Sequence, residues 1–313
     1  MAGKYTLAPV PVHEEHSLFT LIENRSAYTM DNCELNVFET HEVATGVNLV
    51  FSDWVLTSML RGKKVMQLPT KPSFDYLPGE SVIVPPNERM KIDFPEADRH
   101  NPTQCIALAI SKEQIEATIN MLNERHPKVE EKEWQLDTQY LHLENNQDLA
   151  EIINRIIRIG INEQTPEKDL LANLTLRELL IRLMQTQARY FFEQNYRQLA
   201  SNNPFAHVMK YIHENITGKL DVDSLCNKAC MSRANFFRKF KEEFGYTPAD
   251  FILKLRLQLA KEHLKNANNS VTQACYMAGF QDLNYFIKAF KKEVGLTPKA
   301  FQLSKQQFQL AYS

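Results

Sequence analysis

The sequence predicts a two-domain α+β protein, in which a β-rich domain with flanking helices precedes an all-α domain. Three observations lead to this fold class. Strand patterns occupy the first third of the chain, helical patterns occupy the rest, and charge is divided unevenly between the two parts. A chain of 313 residues is long enough for two domains that each bury a core. We place the boundary at the polar stretch 198–203, a linker between domains at 1–197 and 204–313.

Short runs rich in Val, Ile, Phe and Tyr recur in the N-terminal part and predict strands. Turn sequences separate several of them, notably Arg61-Gly62-Lys63-Lys64 and Pro78-Gly79-Glu80. Many short strands at this spacing are typical of a barrel or a jelly-roll-like sandwich. The predicted strands are Leu35–Glu39, Val47–Ser52, Trp54–Leu60, Val65–Leu68, Phe74–Leu77, Ser81–Pro85, Arg89–Asp93 and Gln104–Ile110.

Three helices are predicted after the strands. Ser111 and Gln114 form a capping box that begins a helix, a second helix surrounds 149–157, and a long third helix begins at Pro166 and ends near Tyr196. The third helix is apolar on two sides, so both sides must be covered. One side packs on the β domain, while the other either contacts a second subunit or is buried within one monomer. Under the first alternative, the dimerisation residues are Leu170, Leu174, Ile181 and Met184.

The charge distribution separates the two domains. Residues 203–313 hold 16 Lys and Arg against 9 Asp and Glu, a net charge of +7, whereas residues 1–202 carry a net charge of −9. This asymmetry indicates a basic C-terminal part that faces a polyanion. A basic surface that is merely solvated explains the same numbers. A motif is therefore needed to decide between them.

The decisive motif is an internal repeat. Residues 236–251 and 286–301 are identical at eight of sixteen positions, where unrelated segments share about one. Each copy follows a shorter predicted helix, with Asp221 and Ser270 at matching N-cap positions. A tight turn then leads to a second helix that ends at a glycine. Helix, short turn and capped helix form a helix-turn-helix unit, and the chain contains two of them, at about 221–244 and 270–294.

The second helix of each unit has a basic face opposite an apolar one. Phenylalanines recur every four residues and predict the core face, since residues at this spacing share one side of a helix. The opposite face and its flanks carry Arg233, Ala234, Asn235, Phe237, Arg238 and Lys241 in the first copy, and Leu283, Asn284, Ile287, Lys288 and Lys291 in the second. Such a face suits the DNA major groove, where Arg and Lys donate to guanine and Asn pairs with adenine. The alternative is an ordinary helical bundle with charged surface residues.

Residues 207–303 resemble the double helix-turn-helix domain of the AraC/XylS family of transcription regulators. The resemblance rests on motifs in both copies: Ser232-x3-Phe236-x3-Phe240-Lys241, Gly245-x-Thr247-Pro248, Ala278-Gly279-Phe280-x-Asp282-x2-Tyr285-Phe286-x3-Phe290 and Gly295-Leu296-Thr297-Pro298. It implies that the helix around 249–267 joins the two units rigidly. It also implies base contacts from Ala234, Phe237 and Arg238, and from Leu283, Asn284, Ile287 and Lys288. Several of these are apolar, so Arg238, Asn284 and Lys288 are the main expected hydrogen-bond donors.

The N-terminal part resembles the cupin-like sensor domain of the same family, through residues 74–79 and 176–179. The resemblance implies a domain that binds a small effector or mediates dimerisation. Together these features predict a sequence-specific DNA-binding regulator, more an activator than a repressor. The expected partners are double-stranded DNA, a second copy of the chain and RNA polymerase. A small-molecule-binding or interaction protein that no longer binds DNA is the alternative function.

The sequence disfavours enzymatic activity and metal binding. A metal-dependent oxygenase needs clustered His and carboxylate ligands, but His41, His100 and His142 are scattered along the chain. We therefore expect no enzymatic activity, no metal and no cofactor. Cys226 and Cys230 form either a thiol sensor or, as is commoner for free cysteine, buried core residues. The absence of a long apolar run and of a secretion signal predicts a cytoplasmic protein without a membrane span.

Overall fold

The computed structural model describes residues 4–13, 17–69, 72–128, 133–136, 141–195, 204–266 and 268–311. The chain divides into two compact units. The sheet unit comprises the described parts of 4–125 and 134–184, and the helical unit comprises the described parts of 126–133 and 185–311. The predicted linker at 198–203 lies outside the described residues.

The sheet unit contains ten strands within its described residues. They are β1 (Asn24–Met30), β2 (Cys33–Thr40), β3 (Ala44–Leu49), β4 (Trp54–Arg61), β5 (Lys64–Gln67), β6 (Phe74–Tyr76), β7 (Glu80–Val84), β8 (Met90–Phe94), β9 (Thr103–Ile110) and β10 (Leu141–Glu144). A six-stranded sheet has the order β1-β2-β9-β4-β7-β10, and a four-stranded sheet has the order β3-β8-β5-β6. All the pairings are antiparallel.

The two-domain α+β class is confirmed, and all eight predicted strands are present as β2 to β9. Of the two expected architectures, a barrel or a jelly-roll-like sandwich, the closed barrel is not formed, because the strands of the described residues lie in two separate sheets. Within the described residues, β1 pairs only with β2 and β10 only with β7, so the six-stranded sheet is open at both ends. Closing a barrel requires its two end strands to pair with each other. Neither β1 nor β10 was predicted.

The six-stranded sheet buries both of its faces. On β2, Leu35 and Val37 pack in one apolar cluster together with the helices of this unit. Phe38, which points to the opposite face because side chains alternate along a strand, packs in a second cluster with residues of the four-stranded sheet. The sheet unit therefore has three layers, and a central sheet covered on both faces is apolar at nearly every position.

Three helices follow the strands, and each prediction of a helix is matched. They are α1 (Lys112–Arg125), α2 (Gln147–Asn162) and α3 (Lys168–Asn195). The Ser111 hydroxyl accepts a hydrogen bond from the Gln114 backbone N–H at 3.3 Å, as an N-cap does. Residues of α3 up to Met184 belong to the sheet unit, and those from Gln185 onward belong to the helical unit.

The helical unit contains seven further helices within its described residues. They are α4 (Pro204–Glu214), α5 (Val222–Lys228), α6 (Arg233–Phe244), α7 (Pro248–Lys265), α8 (Val271–Met277), α9 (Leu283–Val294) and α10 (Pro298–Ala311). The predicted capping box of Ser270 and Gln273 is present at the start of α8. The pairs α5–α6 and α8–α9 are the two helix-turn-helix units.

Each of the two helix-turn-helix units has its own aromatic core. In the first, Phe236 and Phe240 lie with their ring centroids 5.5 Å apart and are fully buried. In the second, Phe286 and Phe290 repeat that arrangement, also at 5.5 Å and fully buried. The predicted core faces of α6 and α9 are therefore confirmed, and α7 contributes Phe251 to the first core and Leu257 to the second.

The turn inside each unit requires a left-handed backbone. Cys230 has φ of 53° in the first turn and Gly279 has φ of 87° at the matching place in the second. A Cβ atom on Gly279 would lie 2.6 Å from the Ile216 carbonyl oxygen. The second turn therefore packs against the loop that follows α4, and only glycine fits there without movement.

Gly279→Ala should destabilise the helical unit more than Gly295→Ala. Gly295 also has positive φ, but a Cβ there would meet nothing within 4 Å. We expect a loss of about 1 kcal/mol for Gly295→Ala from backbone strain alone, and about 2–4 kcal/mol for Gly279→Ala because the backbone of residues 216–217 must also move. Urea unfolding followed by far-ultraviolet circular dichroism measures both.

The tryptophan fluorescence of the same samples provides an internal control. The chain has two tryptophans, Trp54 and Trp134, and both lie in the sheet unit. Their unfolding transition should be unchanged in either variant. Equal losses of stability for the two glycine substitutions would contradict the packing of Gly279 against residues 216–217.

Candidate nucleic-acid interface

Helices α6 and α9 begin and end in similar ways. Asp282 caps α9, since its carboxylate accepts a hydrogen bond from the Tyr285 backbone N–H at 2.6 Å. Ser232 occupies the N-cap position of α6 but its side chain makes no capping hydrogen bond. Both helices stop at a left-handed glycine, Gly245 with φ of 76° and Gly295 with φ of 77°. The two helices consequently present matching surfaces.

The predicted contact residues occupy the outward face of these helices. Ala234, Arg238 and Lys241 on α6 are exposed, and so are their counterparts fifty positions later on α9, namely Asn284, Lys288 and Lys291. Arg233 is also exposed, at the first turn of α6. Exposure at the same register in both copies places polar or cationic groups where a long ligand could contact both helices.

The flanking residues are partly buried. Phe237 packs against the first core, and Leu283 and Ile287 pack against the second. Asn235 is half-buried on α6. These apolar side chains therefore contribute to helix packing, and each has only part of its surface available to a ligand.

Arg238 is held along its own helix. Its Nη1 atom donates to both oxygens of Glu242 at 3.0 and 3.1 Å, and its Nη2 atom donates to Asn235 Oδ1 at 2.8 Å. Arg233 makes a separate ion pair with Asp223 at 3.2 Å. The side chains of Lys241, Lys288 and Lys291, by contrast, make no hydrogen bond or ion pair with the described part of the chain.

Sequence reasoning missed one residue that shapes this surface and the partners of another. Glu242 was overlooked, although it lies four residues after Arg238 and this spacing brings helical side chains together. Arg256 on α7 belongs to the family motif Arg256-x3-Ala260-x3-Leu264, but the sequence gives no sign of its partners. It donates to the carbonyl oxygens of Ile216 at 2.8 Å and Gly218 at 2.6 Å.

Helix α7 thereby contacts elements of both helix-turn-helix units. Burial lowers the pKa of Arg256 from its usual value, although the group stays charged at neutral pH. Its hydrogen bonds hold the loop after α4, against which the turn at Gly279 also packs. Lys254 on the same helix forms an ion pair with Glu293 of α9. These contacts support the rigid connection that the resemblance implied for 249–267.

Histidines of the sheet unit lie beside two carboxylates, with His13 and His41 sharing Glu39 and His142 beside Glu80. His41 Nε2 lies 3.3 Å from Glu39, and His142 Nε2 lies 3.2 Å from Glu80. Burial alone would raise the pKa of Glu39, but hydrogen bonds from Gln104, His13 and His41 hold it below the usual value. In the described residues, no group of three or more His, Cys, Asp or Glu is placed to hold a metal ion.

The cysteines do not form the cluster that the thiol-sensor alternative requires. Cys226 and Cys275 are buried, as the core interpretation expected, but Cys230 is exposed. Cys230 lies in the left-handed turn that follows α5, whereas Cys226 lies within that helix. All five cysteines are free.

Two other surfaces of the sheet unit could bind a partner. A cavity of about 480 Å³ lies beside the β1–β2 turn and the loop 49–53, with polar residues such as Asp31 and Asp53 and apolar ones such as Phe51 in its wall. On α3, Leu170 and Leu174 are 60% and 54% exposed.

The other two residues of the predicted dimerisation set are less accessible. Ile181 is partly buried against the core, and Met184 is 3% exposed within it. Met184 belongs to the row that covers the sheet unit, so the accessible apolar surface of α3 consists of Leu170, Leu174 and part of Ile181. No helix within the described residues is long and apolar enough to cross a membrane.

The fold and the exposed helix faces together define a class of protein in which two helix-turn-helix units follow a sheet-rich domain along the chain. Residues 33–190 match the model of the N-terminal domain of AraC-type transcriptional regulators, and residues 225–304 match that of a helix-turn-helix domain. The first match covers half of the chain. The chain belongs to the family of AraC-type transcriptional regulators.

Curated relatives come from several bacteria. The raffinose operon transcriptional regulatory protein RafR of Pediococcus pentosaceus is 29% identical over 136 residues, which is 43% of this chain and 49% of that protein. The transcriptional activator RhaS of Escherichia coli K12 is 23% identical over 175 residues, which is 56% of this chain and 62% of that protein. The chain thus spans about half to three fifths of the length of these relatives.

Two solved structures also match the chain, both with low TM-scores. ToxT from Vibrio cholerae is 14% identical with a TM-score of 0.35, and the match covers 87% of this chain and 98% of that one. The DNA-binding domain of AdpA, solved with a target DNA, is 25% identical with a TM-score of 0.33, over 34% of this chain and 96% of that one.

Proposed function

We propose that this protein is a sequence-specific DNA-binding regulator that activates transcription. The observation that carries the proposal is that exposed cations recur at matching positions of two helices. Arg238 and Lys241 are exposed on α6, and Lys288 and Lys291 are exposed at the corresponding positions of α9, each opposite a buried aromatic face. The net charge of +7 on residues 203–313 adds a general attraction for a polyanion. The activator assignment is supported by RhaS, a named transcriptional activator.

The proposal assigns different roles to the exposed residues. Arg238 and Lys288 donate to guanine, and Asn284 pairs with adenine, because these side chains match the edges of those bases in the major groove. Ala234 and the exposed parts of Phe237, Leu283 and Ile287 contact thymine methyl groups. Arg233, Lys241 and Lys291 contact phosphates, with Asn235 beside them, and thereby position the helices on the duplex.

The proposal places the protein in the cytoplasm and includes RNA polymerase as the partner through which activation occurs. It includes no catalytic step, metal or cofactor.

Binding of the whole chain to duplex DNA should weaken steeply as salt is added. A protein that contacts six or more phosphates loses about 10³-fold in affinity between about 50 and 200 mM salt. Fluorescence anisotropy with a duplex enriched from a random library by the wild-type chain, and with a scrambled duplex, measures both affinity and preference. A folded chain that binds neither duplex would leave the alternative function, an interaction module without DNA binding.

Substitutions in the same assay separate base contacts from phosphate contacts. Arg238→Ala and Lys288→Ala should weaken binding to the enriched duplex by about 1–3 kcal/mol and reduce the preference for it. Lys241→Ala and Lys291→Ala are the matched controls, and they should weaken both duplexes alike. Equal losses on both duplexes for Arg238→Ala and Lys288→Ala would contradict the base-contact assignment.

The proposal also includes a homodimer formed through α3. Leu170 and Leu174 lie four residues apart on one helix face, and both are more than half exposed, so the monomer leaves them uncovered. Exposed apolar patches of this kind mark association surfaces. We call α6 and α9 the recognition helices. A dimer would place two pairs of them on one stretch of DNA and increase avidity.

Leu170→Glu with Leu174→Glu should convert a dimer into a monomer, because two carboxylates would oppose their symmetric copies. Analytical ultracentrifugation of the whole chain at tens of micromolar measures the mass. Leu303→Glu is a matched control, since Leu303 on α10 is 47% exposed but lies in the helical unit. A monomeric wild-type chain would remove dimerisation through α3 from the proposal.

The sheet unit is the proposed site of control by a small effector. Its cavity of about 480 Å³ lies within the range of about 300–1,000 Å³ that small-molecule sites occupy. An effector acts on DNA binding only if it binds one arrangement of the protein more tightly than another. The polar groups in the wall indicate a ligand with hydrogen-bonding groups.

Val50→Trp should abolish the thermal stabilisation that a screened small molecule confers. Val50 is half exposed and lines the cavity, so an indole at this position would fill part of it. Val43→Trp is the matched control, because Val43 is similarly exposed and does not line the cavity. A compound that stabilises the Val50→Trp chain as well as the wild type would place the effector site elsewhere.

A further inference from the structure

The two recognition helices share a fold but differ in the environment of their main cations. On α9, the side chain of Lys288 makes no hydrogen bond or ion pair with the described residues. On α6, Arg238 makes three hydrogen bonds, two with Glu242 and one with Asn235. The first recognition helix therefore reaches DNA with its principal donor already engaged, whereas the second does not.

The internal repeat shows where this difference originates. Arg238 of the first copy corresponds to Lys288 of the second, so a cation is kept at this register. Glu242 corresponds to Lys292, so the carboxylate four residues further on occurs in the first copy alone. The acceptor for Arg238 is thus a feature of α6 rather than of the helix-turn-helix fold.

Glu242 is held in place by groups other than Arg238. Its carboxylate lies 3.7 Å from Lys239 Nζ and 3.6 Å from His126 Nδ1, and its side chain is 21% exposed. Its backbone carbonyl accepts a hydrogen bond from Gln185 Nε2 at 3.1 Å. Lys239 is itself tied to the Pro127 carbonyl at 2.9 Å. When DNA competes for the pair, Arg238 is therefore the partner that moves, since its side chain is 57% exposed.

We propose that Glu242 is a specificity-determining residue, which competes with DNA for the guanidinium of Arg238. The inference rests on the proposed DNA-binding function. On a sequence without a suitable acceptor, Arg238 stays with Glu242 and Asn235 and adds little to binding. A guanine that accepts two hydrogen bonds replaces both contacts and recovers the interaction. The proper site therefore has to break the pair with Glu242 whereas unrelated DNA does not, so Glu242 weakens binding to the proper site more than binding to unrelated DNA.

Glu242→Gln tests this competition in the whole chain. The probes are a duplex enriched from a random library by the wild-type chain and a scrambled duplex of the same length and composition. Glu242→Gln should tighten binding to the enriched duplex more than to the scrambled one. The ratio of the affinity for the enriched duplex to that for the scrambled duplex should rise by about two- to fivefold, a size set by the modest strength of exposed i,i+4 ion pairs.

Two comparisons isolate the role of Arg238. In the Arg238→Ala background, Glu242→Gln should no longer change the ratio, because no guanidinium remains to be released. Glu262→Gln is the matched control for lost charge: Glu262 lies on α7 and pairs with Lys265 at 2.7 Å, away from the recognition helices. It should leave the ratio unchanged. Circular dichroism of each variant reports that the fold is kept.

The outcomes separate this inference from the proposed function. If the wild-type chain enriches a sequence but Glu242→Gln leaves the ratio unchanged, the inference is overturned and the DNA-binding function stands. The inference is also overturned if the ratio falls in Glu242→Gln, if it rises equally with Arg238 and with alanine at 238, or if it rises as much in Glu262→Gln. A wild-type chain that enriches no sequence overturns the proposed function and this inference together.

Discussion

Each recognition helix carries a row of aromatic side chains four residues apart, and the burial of that row controls the rest of the helical unit. Phe236 and Phe240 in one copy, and Phe286 and Phe290 in the other, are completely removed from water. A fully buried phenylalanine contributes about 1.5–3 kcal/mol of hydrophobic stabilisation. Because residues at this spacing define one side of a helix, burial of the row turns the opposite side outward. The outward direction of the helix face that carries the cations is therefore set by the buried core.

Much of this arrangement could be predicted from the sequence because it is local. The repeat, the capping residues and the terminal glycines of α6 and α9 each depend on a few neighbouring positions. The strands β2 to β9 were similarly evident from short apolar runs. The edge strand β1 was not, since its side chains alternate between buried and exposed with mostly polar residues. The open sheets were not predictable either, because pairings such as β2 with β9 join residues far apart in the chain.

The candidate interface likewise contains features that depend on neighbouring residues and features that depend on residues far apart in the chain. The exposed faces of α6 and α9 followed from helical periodicity alone. The ion pair of Arg238 with Glu242 was available from their spacing, but the same spacing does not reveal that Glu242 also faces His126 and Gln185. Those two residues lie far upstream in the chain. Contacts of that range depend on the tertiary fold, and they add to a chemical difference that the sequences of the two helices already contain at Glu242 and Lys292.

The inequality of the two helix-turn-helix units gives the bound protein a polarity. At matching registers α6 carries Ala234 and Arg238, whereas α9 carries Asn284 and Lys288. With the base contacts proposed above, a single chain meets a different set of base edges at each of the two helices. The DNA segment that one chain prefers is directional rather than palindromic, so reversing that segment is not equivalent to leaving it in place. A regulator built in this way has a defined front and back with respect to the start of transcription.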